Sequence, residues 1–400
     1  MDASSSNISD FDSVFSLGLK LYKMGQNNDA ILALRRATEL ENSRGEAFVA
    51  LGELYDKLGQ TEKAILTYKK GIKAHPQFVD NYFDLAVLYG RQISTIRQNL
   101  MAYPIGYLAE TQEKTHEYFL KAAYLNDAES KKILQKESIT ANTKEEIIFE
   151  LIKIGNQRMD RKNFREARSI FSFVVQNRDD DQALKVLAIC NLNIGQDYDE
   201  DMDYKKAYSW YTEAQVLMTR LYDKDNTRED YKDLLGIILL TIGNLFGSWD
   251  KHDKAIEYLE KSKSLIANKH ELYKFLGQEY YFNEQLNQAK QYLSEYAMSN
   301  NRSLDELLEE SKLLHYHKYL DKLNILAGNS GHSQKEIDFL NKAIQMYPNK
   351  QDAYYYLGIC YRYMNEIQRA LKVYNKALEV DLEGEYSSEI RREIMELKSL

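Results

Sequence analysis

Residues 45–76 read GEAFVALGELYDKLGQTEKAILTYKKGIKAHP, and this stretch decides the fold. Its apolar residues recur at steps of three and four, which predicts two short amphipathic helices. Gly59 lies in the predicted turn, and Pro76 ends the second helix because proline cannot donate a backbone hydrogen bond. Gly52 and Ala64 have almost no side chain, so the two helices can approach closely where these residues meet.

The same pattern recurs along most of the chain, often at an interval of 34 residues. With Gly45 counted as position 1, position 20 is usually alanine, with Thr115 and Glu336 as departures, and position 24 is always large and apolar. Position 8 is usually small and is occupied by Gly18, Gly52, Ala86, Gly155, Ala188, Gly243, Gly277, Asn324 and Gly358.

These positions resemble the tetratricopeptide repeat (TPR) family over residues 11 to about 384, as about nine repeats. The resemblance implies an all-α fold, a right-handed superhelical solenoid of antiparallel helix pairs. The composition agrees, because 18 Gly and 3 Pro in 400 residues are few turn formers. A final helix that is polar on one side is expected to cap the open end of the solenoid.

The repeat pattern predicts how the chain is divided. Residues 1–10 are expected to be a disordered tail, 11–128 to hold repeats one to three, 129–147 to form a joint, 148–303 to hold repeats four to seven, 304–384 repeats eight and nine, and 385–400 the capping helix.

Two insertions interrupt the repeats. The first, at about 92–108, is apolar, with Met101 and Ile105 among its residues, and is either packed on the solenoid or used for contact. The second, at about 195–203, reads GQDYDEDMD and places acidic residues at alternate positions, as a calcium loop begins. Because Met202 stands where that loop needs glycine, we expect a solvated acidic loop and no metal site.

Composition excludes several classes of function. A net charge of -8 argues against a nucleic-acid-binding protein. No stretch approaches 18 uninterrupted apolar residues and no signal peptide is evident, so we expect no membrane insertion and a cytoplasmic protein. Cys190 and Cys360 are interpreted as small core residues. No catalytic or phosphate-binding motif is present, which predicts a protein that is not an enzyme and needs no cofactor.

The resemblance implies a binding surface, because the first helix of each TPR pair lines the concave groove. In the first three repeats this strip is largely apolar, which favours a partner helix or extended segment. The alternative is that these residues are core, buried in part by the neighbouring repeat. The candidate partner-binding residues are Phe15, Leu19, Val49, Glu53, Phe83, Val87, Asn156, Asn244, Lys274 and Tyr355.

The function implied by the resemblance is a scaffold or adaptor that binds protein or peptide partners. The alternative is an intracellular peptide-sensing regulator, in which Asn156 and Asn244 would bond the ligand backbone. Such regulators usually carry an output module ahead of their repeats, and the repeats here begin at about residue 11. The Lys and Asn pair with which some family members hold chaperone tails is replaced by Phe15 and Leu19 in the first repeat, so that partner is not expected.

Overall fold

The computed structural model of the chain describes residues 11–40, 43–139, 141–327 and 334–399, with side chains except at residues 319, 321–327 and 335. The predicted tail, residues 1–10, and the side chain of Asn324 lie outside the described residues. Twenty α-helices and no strand occur in the described part of the chain, so the all-α prediction is confirmed. The helices form two compact units that divide after Lys224.

The first unit contains eleven α-helices and a short 3-10 turn at Leu100–Ala102. The helices are α1 (Phe11–Lys23), α2 (Asn27–Glu39), α3 (Gly45–Lys57), α4 (Thr61–Ala74), α5 (Val79–Gln98), α6 (Tyr107–Tyr124), α7 (Ala128–Lys136), α8 (Lys144–Asp160), α9 (Phe164–Asn177), α10 (Asp181–Glu200) and α11 (Tyr204–Lys224).

The second unit contains the other nine helices. They are α12 (Glu229–Ser248), α13 (His252–Lys263), α14 (His270–Phe282), α15 (Leu286–Asn300), α16 (Leu304–Ala327), α17 (Gln334–Met346), α18 (Gln351–Tyr363), α19 (Ile367–Val380) and α20 (Ser387–Lys398).

Helices that follow each other in the chain pack as pairs within each unit. The pairs are α1 with α2, α3 with α4, α5 with α6, α8 with α9 and α10 with α11 in the first unit, and α12 with α13, α14 with α15, α16 with α17 and α18 with α19 in the second. Helix α7 packs on α6, and α20 packs on α19 with Ile390 and Ile394 buried. The predicted helix pairs are therefore confirmed.

In seven of the pairs a glycine of the first helix lies against a large residue of the second. A Cβ atom added to Gly52 would lie 2.5 Å from Tyr68 Cε1, and one added to Gly358 would lie 2.2 Å from Tyr374 Cε1. Position 8 of the repeat thus faces the large residue at position 24, which explains why both positions are restricted in the sequence. Gly59 has a φ of +70° in the turn between α3 and α4, a conformation that suits glycine.

Both predicted insertions include additional helix. Helix α5 continues to Gln98, so the first insertion begins as helix. The acidic insertion is not a loop for most of its length, because α10 continues through Glu200. Asp199 accepts a hydrogen bond from the Tyr211 hydroxyl at 3.3 Å, and Asp197 lies 3.7 Å from Arg165. Tyr211 and Arg165 therefore offset part of the negative charge of two carboxylates for which the sequence pattern alone showed no partner.

The predicted joint at 129–147 does not coincide with the boundary between the units. It contains most of α7, where Leu134 is buried, and the start of α8, where Thr143 and Glu146 form a capping box. Helix α6 also packs on α8 across this segment. The assignment of residues 129–147 as a joint stays a prediction.

Candidate functional site

The first helices of the three N-terminal pairs lie side by side in the first unit. Helix α3 contacts both α1 and α5. Each of these helices carries two of the predicted groove residues, four positions apart and therefore on one face. We call the surface formed by Phe15, Leu19, Val49, Phe83 and Val87 the apolar strip.

Each residue of the apolar strip is half-buried. Phe15 stacks on the buried Phe11 with ring centroids 5.4 Å apart, and Phe83 packs edge-on against the buried Phe119 at 6.0 Å. One side of these rings therefore belongs to the core, as the alternative hypothesis held, while part of each side chain stays open to solvent. The strip is neither wholly core nor wholly free.

Carboxylates lie between α3 and α5, next to the apolar strip. Burial, with the nearby carboxylates of Glu53 and Asp80, raises the pKa of Asp84 to about 7. Glu53 is half exposed and lies 3.9 Å from Lys57, and Asp56 is paired with Arg91 at 2.5 Å. Burial is the largest cause of the raised pKa of Asp84, and the carboxylates of Glu53 and Asp80 add to it.

The structure does not bring all ten predicted residues together. Six of them lie on the adjacent helices α1, α3 and α5 of the first unit. Asn156 is exposed on α8 of the same unit. Of the three in the second unit, Asn244 is half-buried on α12, Lys274 is 3.1 Å from Glu310, and Tyr355 stacks on Tyr386 at 4.7 Å. Backbone binding of a peptide by the two asparagines stays a prediction.

The first insertion presents a second apolar surface. Met101 and Ile105 are fully exposed, whereas Tyr103 and Tyr107 are half-buried and stack on each other at 5.4 Å. The two tyrosines therefore shield part of each other, and Met101 and Ile105 are available for contact, while packing of the insertion on the solenoid stays a prediction.

Sequence reasoning missed a buried charged cluster formed by Glu117, Lys121 and Arg158, each at most 3% exposed. Arg158 occupies position 11 of its repeat, where the second and third repeats have Tyr55 and Tyr89. An arginine at a position that is aromatic in the two preceding repeats was the available signal. Its partner Glu117 is 41 residues away in the chain, so only the fold identifies it.

A metal site and a membrane-spanning helix each need features that the described residues lack. Those residues contain no group of three or more His, Cys, Asp or Glu side chains placed to hold a metal ion. None of the described helices has the length and apolar character needed to cross a bilayer.

Comparison with known proteins points to one family. Three sequence models described as tetratricopeptide repeat match residues 15–77, 238–269 and 352–382. These matches include α3 with α4, α12 with α13 and α18 with α19, three of the observed pairs. A search of curated proteins gave no significant match.

Solved structures align with the chain at low similarity. They include the TPR domain of P58(IPK), at 15% identity over 98% of this chain and 98% of that chain, with a TM-score of 0.27. Yeast Tom70 aligns at 14% identity over 97% and 95%, with a TM-score of 0.21. A human IFIT1 dimer with m7Gppp-AAAA aligns at 13% identity over 93% and 90%, with a TM-score of 0.29. Scores this low support no argument about function.

The family matches and the helix pairs are independent observations that agree. The matched segments lie in both units, and the small residue at position 8 packs against position 24 in Gly52 with Tyr68 and again in Gly358 with Tyr374. The chain is therefore a tetratricopeptide repeat protein.

Proposed function

We propose that the chain is a non-enzymatic scaffold or adaptor of the cytoplasm, and that it binds a segment of a partner protein on the apolar strip. The observation that supports this most is the half-buried state of five apolar side chains on three adjacent first helices. Membership of the TPR family supports a protein-interaction scaffold in general. The position of the binding surface is our inference.

The apolar strip suits a partner because its side chains are already ordered. The inner sides of Phe15 and Phe83 pack on core rings, so binding costs little further side-chain entropy. Burying a whole apolar side chain contributes about 1.5–3 kcal/mol, so a half-buried one contributes about 1 kcal/mol when a partner covers the rest. Five such anchors support reversible capture of a short segment.

The charge beside the apolar strip indicates the chemistry of the partner. Glu53, Asp80 and Asp84 place carboxylates next to Val49, Phe83 and Val87. A partner segment with apolar residues and Lys or Arg on its flanks would cover the strip and neutralise these carboxylates. We therefore propose a basic amphipathic segment as the ligand. Met101 and Ile105 offer a further contact for a larger partner.

The experiment compares two double variants in pull-downs from a lysate of the source organism. Val49→Thr with Val87→Thr keeps the side-chain shape but places two hydroxyls under the partner, where an unpaired hydroxyl costs about 1–3 kcal/mol. Val175→Thr with Val373→Thr makes the same change at half-buried valines of the second helices α9 and α19. Circular dichroism measures whether both variants keep the helicity of the wild type.

Quantitative mass spectrometry of the retained proteins decides the outcome. We expect at least one protein to be retained equally by the wild type and by the variant in α9 and α19. The strip variant should retain at least about tenfold less of it, because its two buried hydroxyls lack hydrogen-bond partners. Equal retention of every captured protein by both double variants would exclude the apolar strip as the binding surface.

A further inference from the structure

A second surface of the first unit has a different chemistry. A cavity of about 580 Å³ lies between α4, α5, α6, α8 and α9. Seven Lys and Arg side chains line it, together with two glutamates, although the chain as a whole has a net charge of -8. We call it the basic cavity. None of the ten predicted groove residues lines it.

The buried charged cluster forms one wall of the basic cavity. Glu117 accepts from Lys121 Nζ at 2.5 Å and from Arg158 Nη1 at 2.6 Å. Burial alone would raise the pKa of Glu117, but these two cations outweigh it and hold that pKa below its usual value. Glu117 therefore stays ionised and neutralises part of the positive charge.

Arg158 retains unused hydrogen-bonding capacity at the cavity wall. Its side chain is 3% exposed, and its Nη2 has no hydrogen-bond partner among the described residues. Its Nε lies 3.5 Å from Glu166 Oε2 without hydrogen-bond geometry. A buried charged donor without an acceptor is unfavourable, because it has lost its hydrogen bonds to water without replacing them. An anion in the basic cavity would supply the missing acceptor.

Ion pairing neutralises most of the other cations of the cavity. Besides the cluster around Glu117, the pairs are Lys114 with Glu110 at 2.5 Å and Glu166 at 2.9 Å, Arg165 with Asp197 at 3.7 Å, and Arg168 with Glu213 at 2.9 Å. Five carboxylates thus face seven cations.

The surplus of two positive charges is carried by Lys69 and Lys73 of α4. Neither forms an ion pair within the described residues. Partial desolvation by the walls of the cavity and repulsion from Lys114 lower the pKa of Lys69, although its side chain still reaches solvent. A ligand with about two negative charges would balance the cavity.

We propose that the basic cavity binds the phosphate group of a small phosphomonoester, with Lys69, Lys73 and Arg158 as the anion-binding residues. A phosphomonoester carries a charge of about -1.5 to -2 near neutral pH, which matches the surplus. The cavity volume lies within the range of about 300–1,000 Å³ that small-molecule sites occupy. Arginine and lysine donors supply the charge-assisted hydrogen bonds that phosphate oxygens accept.

The remaining lining suits the organic part of such a ligand. Ile72 and Pro76 of the α4 end and Tyr89 of α5 line the same cavity. They offer apolar and aromatic surface beside the cations. Because the basic cavity and the apolar strip share no residue, this inference is independent of the proposed function.

The test uses isothermal titration of the full chain with AMP, adenosine and inorganic phosphate. Lys69→Gln with Lys73→Gln removes the surplus charge. Both residues belong to α4, and Lys69 is exposed at its surface. Lys63→Gln with Lys70→Gln makes the same charge change on the same helix at residues that do not line the cavity. Both variants are therefore matched in net charge and in helix.

We expect saturable binding of AMP by the wild type, competition by inorganic phosphate and no binding of adenosine. Loss of two charge-assisted hydrogen bonds should weaken AMP binding at least about tenfold in the Lys69 and Lys73 variant, with no change in the control variant. No saturable binding of AMP or phosphate by the wild type would overturn the proposal. So would equal binding of AMP and adenosine, or equal weakening in both variants.

Discussion

Replacing Glu117 by glutamine tests whether the buried charged cluster stabilises the first unit. The substitution keeps the size of the side chain and removes the only carboxylate that faces both Lys121 Nζ at 2.5 Å and Arg158 Nη1 at 2.6 Å. Lys121 would then be buried without a counter-charge, and Arg158 would keep only the carboxylate of Glu166, which lies 3.5 Å from its Nε. Removing one partner of a buried ion pair costs about 3–5 kcal/mol.

The same two helices supply a matched control. Glu113 of α6 pairs through both carboxylate oxygens at 2.8 Å with Arg161, the residue that follows α8, but Arg161 is 57% exposed. Exposed ion pairs contribute about 0.2–1 kcal/mol because water screens them. Glu113→Gln therefore removes an ion pair from the same part of the structure, but one that is exposed to water and not buried.

Amide hydrogen exchange measured by mass spectrometry reports the opening free energy of α6 and α8. We expect Glu117→Gln to speed exchange in these helices at least about a hundredfold and Glu113→Gln less than about tenfold, since each 1.4 kcal/mol changes the opening equilibrium tenfold. Similar exchange rates in the two variants would refute the reasoning that the buried cluster is a major source of stability.

The pH dependence gives the sign of the effect. Because the pKa of Glu117 in the folded protein is below its usual value of 4.5, the stability that its charge contributes is present above pH 4.5. It is lost as the pH falls through the folded pKa. The difference in urea-unfolding stability between the wild type and Glu117→Gln should therefore be full at pH 7 and should narrow in acid.

Three further substitutions test packing and electrostatics by urea unfolding. Gly358→Ala should destabilise by about 1–3 kcal/mol because its Cβ would overlap Tyr374. Gly90→Ala should instead stabilise by about 0.5–1 kcal/mol, because its Cβ would meet no atom closer than 3.7 Å and alanine favours helix; equal effects of the two would contradict this packing. Burial and neighbouring carboxylates raise the pKa of Asp84 to about 7, so its charge opposes folding increasingly as pH rises from about 4 to 7. Asp84→Asn should then add about 1–2 kcal/mol at pH 8, after allowance for solvent screening, and little at pH 4; a gain that does not depend on pH would contradict this.

Local spacing in the sequence was sufficient to predict the helix pairs. The small residue Gly52 and the large residue Tyr68 lie in one 34-residue repeat, and their contact depends on nothing outside that repeat. The structure of the acidic segment could not be predicted from spacing alone, because the partner of Asp197 is Arg165 of a different helix pair. Spacing alone therefore predicted a loop where the fold continues α10.

The candidate sites show the same limit. The sequence identified the apolar strip, but the half-buried state of Phe15 and Phe83 depends on Phe11 and Phe119, which only the packed helices bring near. The basic cavity was not predicted at all. Several of its ion pairs join residues of separate helices, as Glu117 and Arg158 do across 41 positions, and a period of 34 residues contains no information about these.

Site-specific photo-crosslinking in a lysate of the source organism tests the partner surface most directly. Benzoylphenylalanine would replace Val49 or Val87 of the apolar strip, and Leu32 or Leu66 of the second helices as controls that are 62% and 54% exposed. We expect the two strip positions to cross-link to one common protein and the two control positions, although more exposed, to give no cross-link to it. Cross-linking of that protein from Leu32 and Leu66 at the same yield would contradict binding in the groove of the first helices.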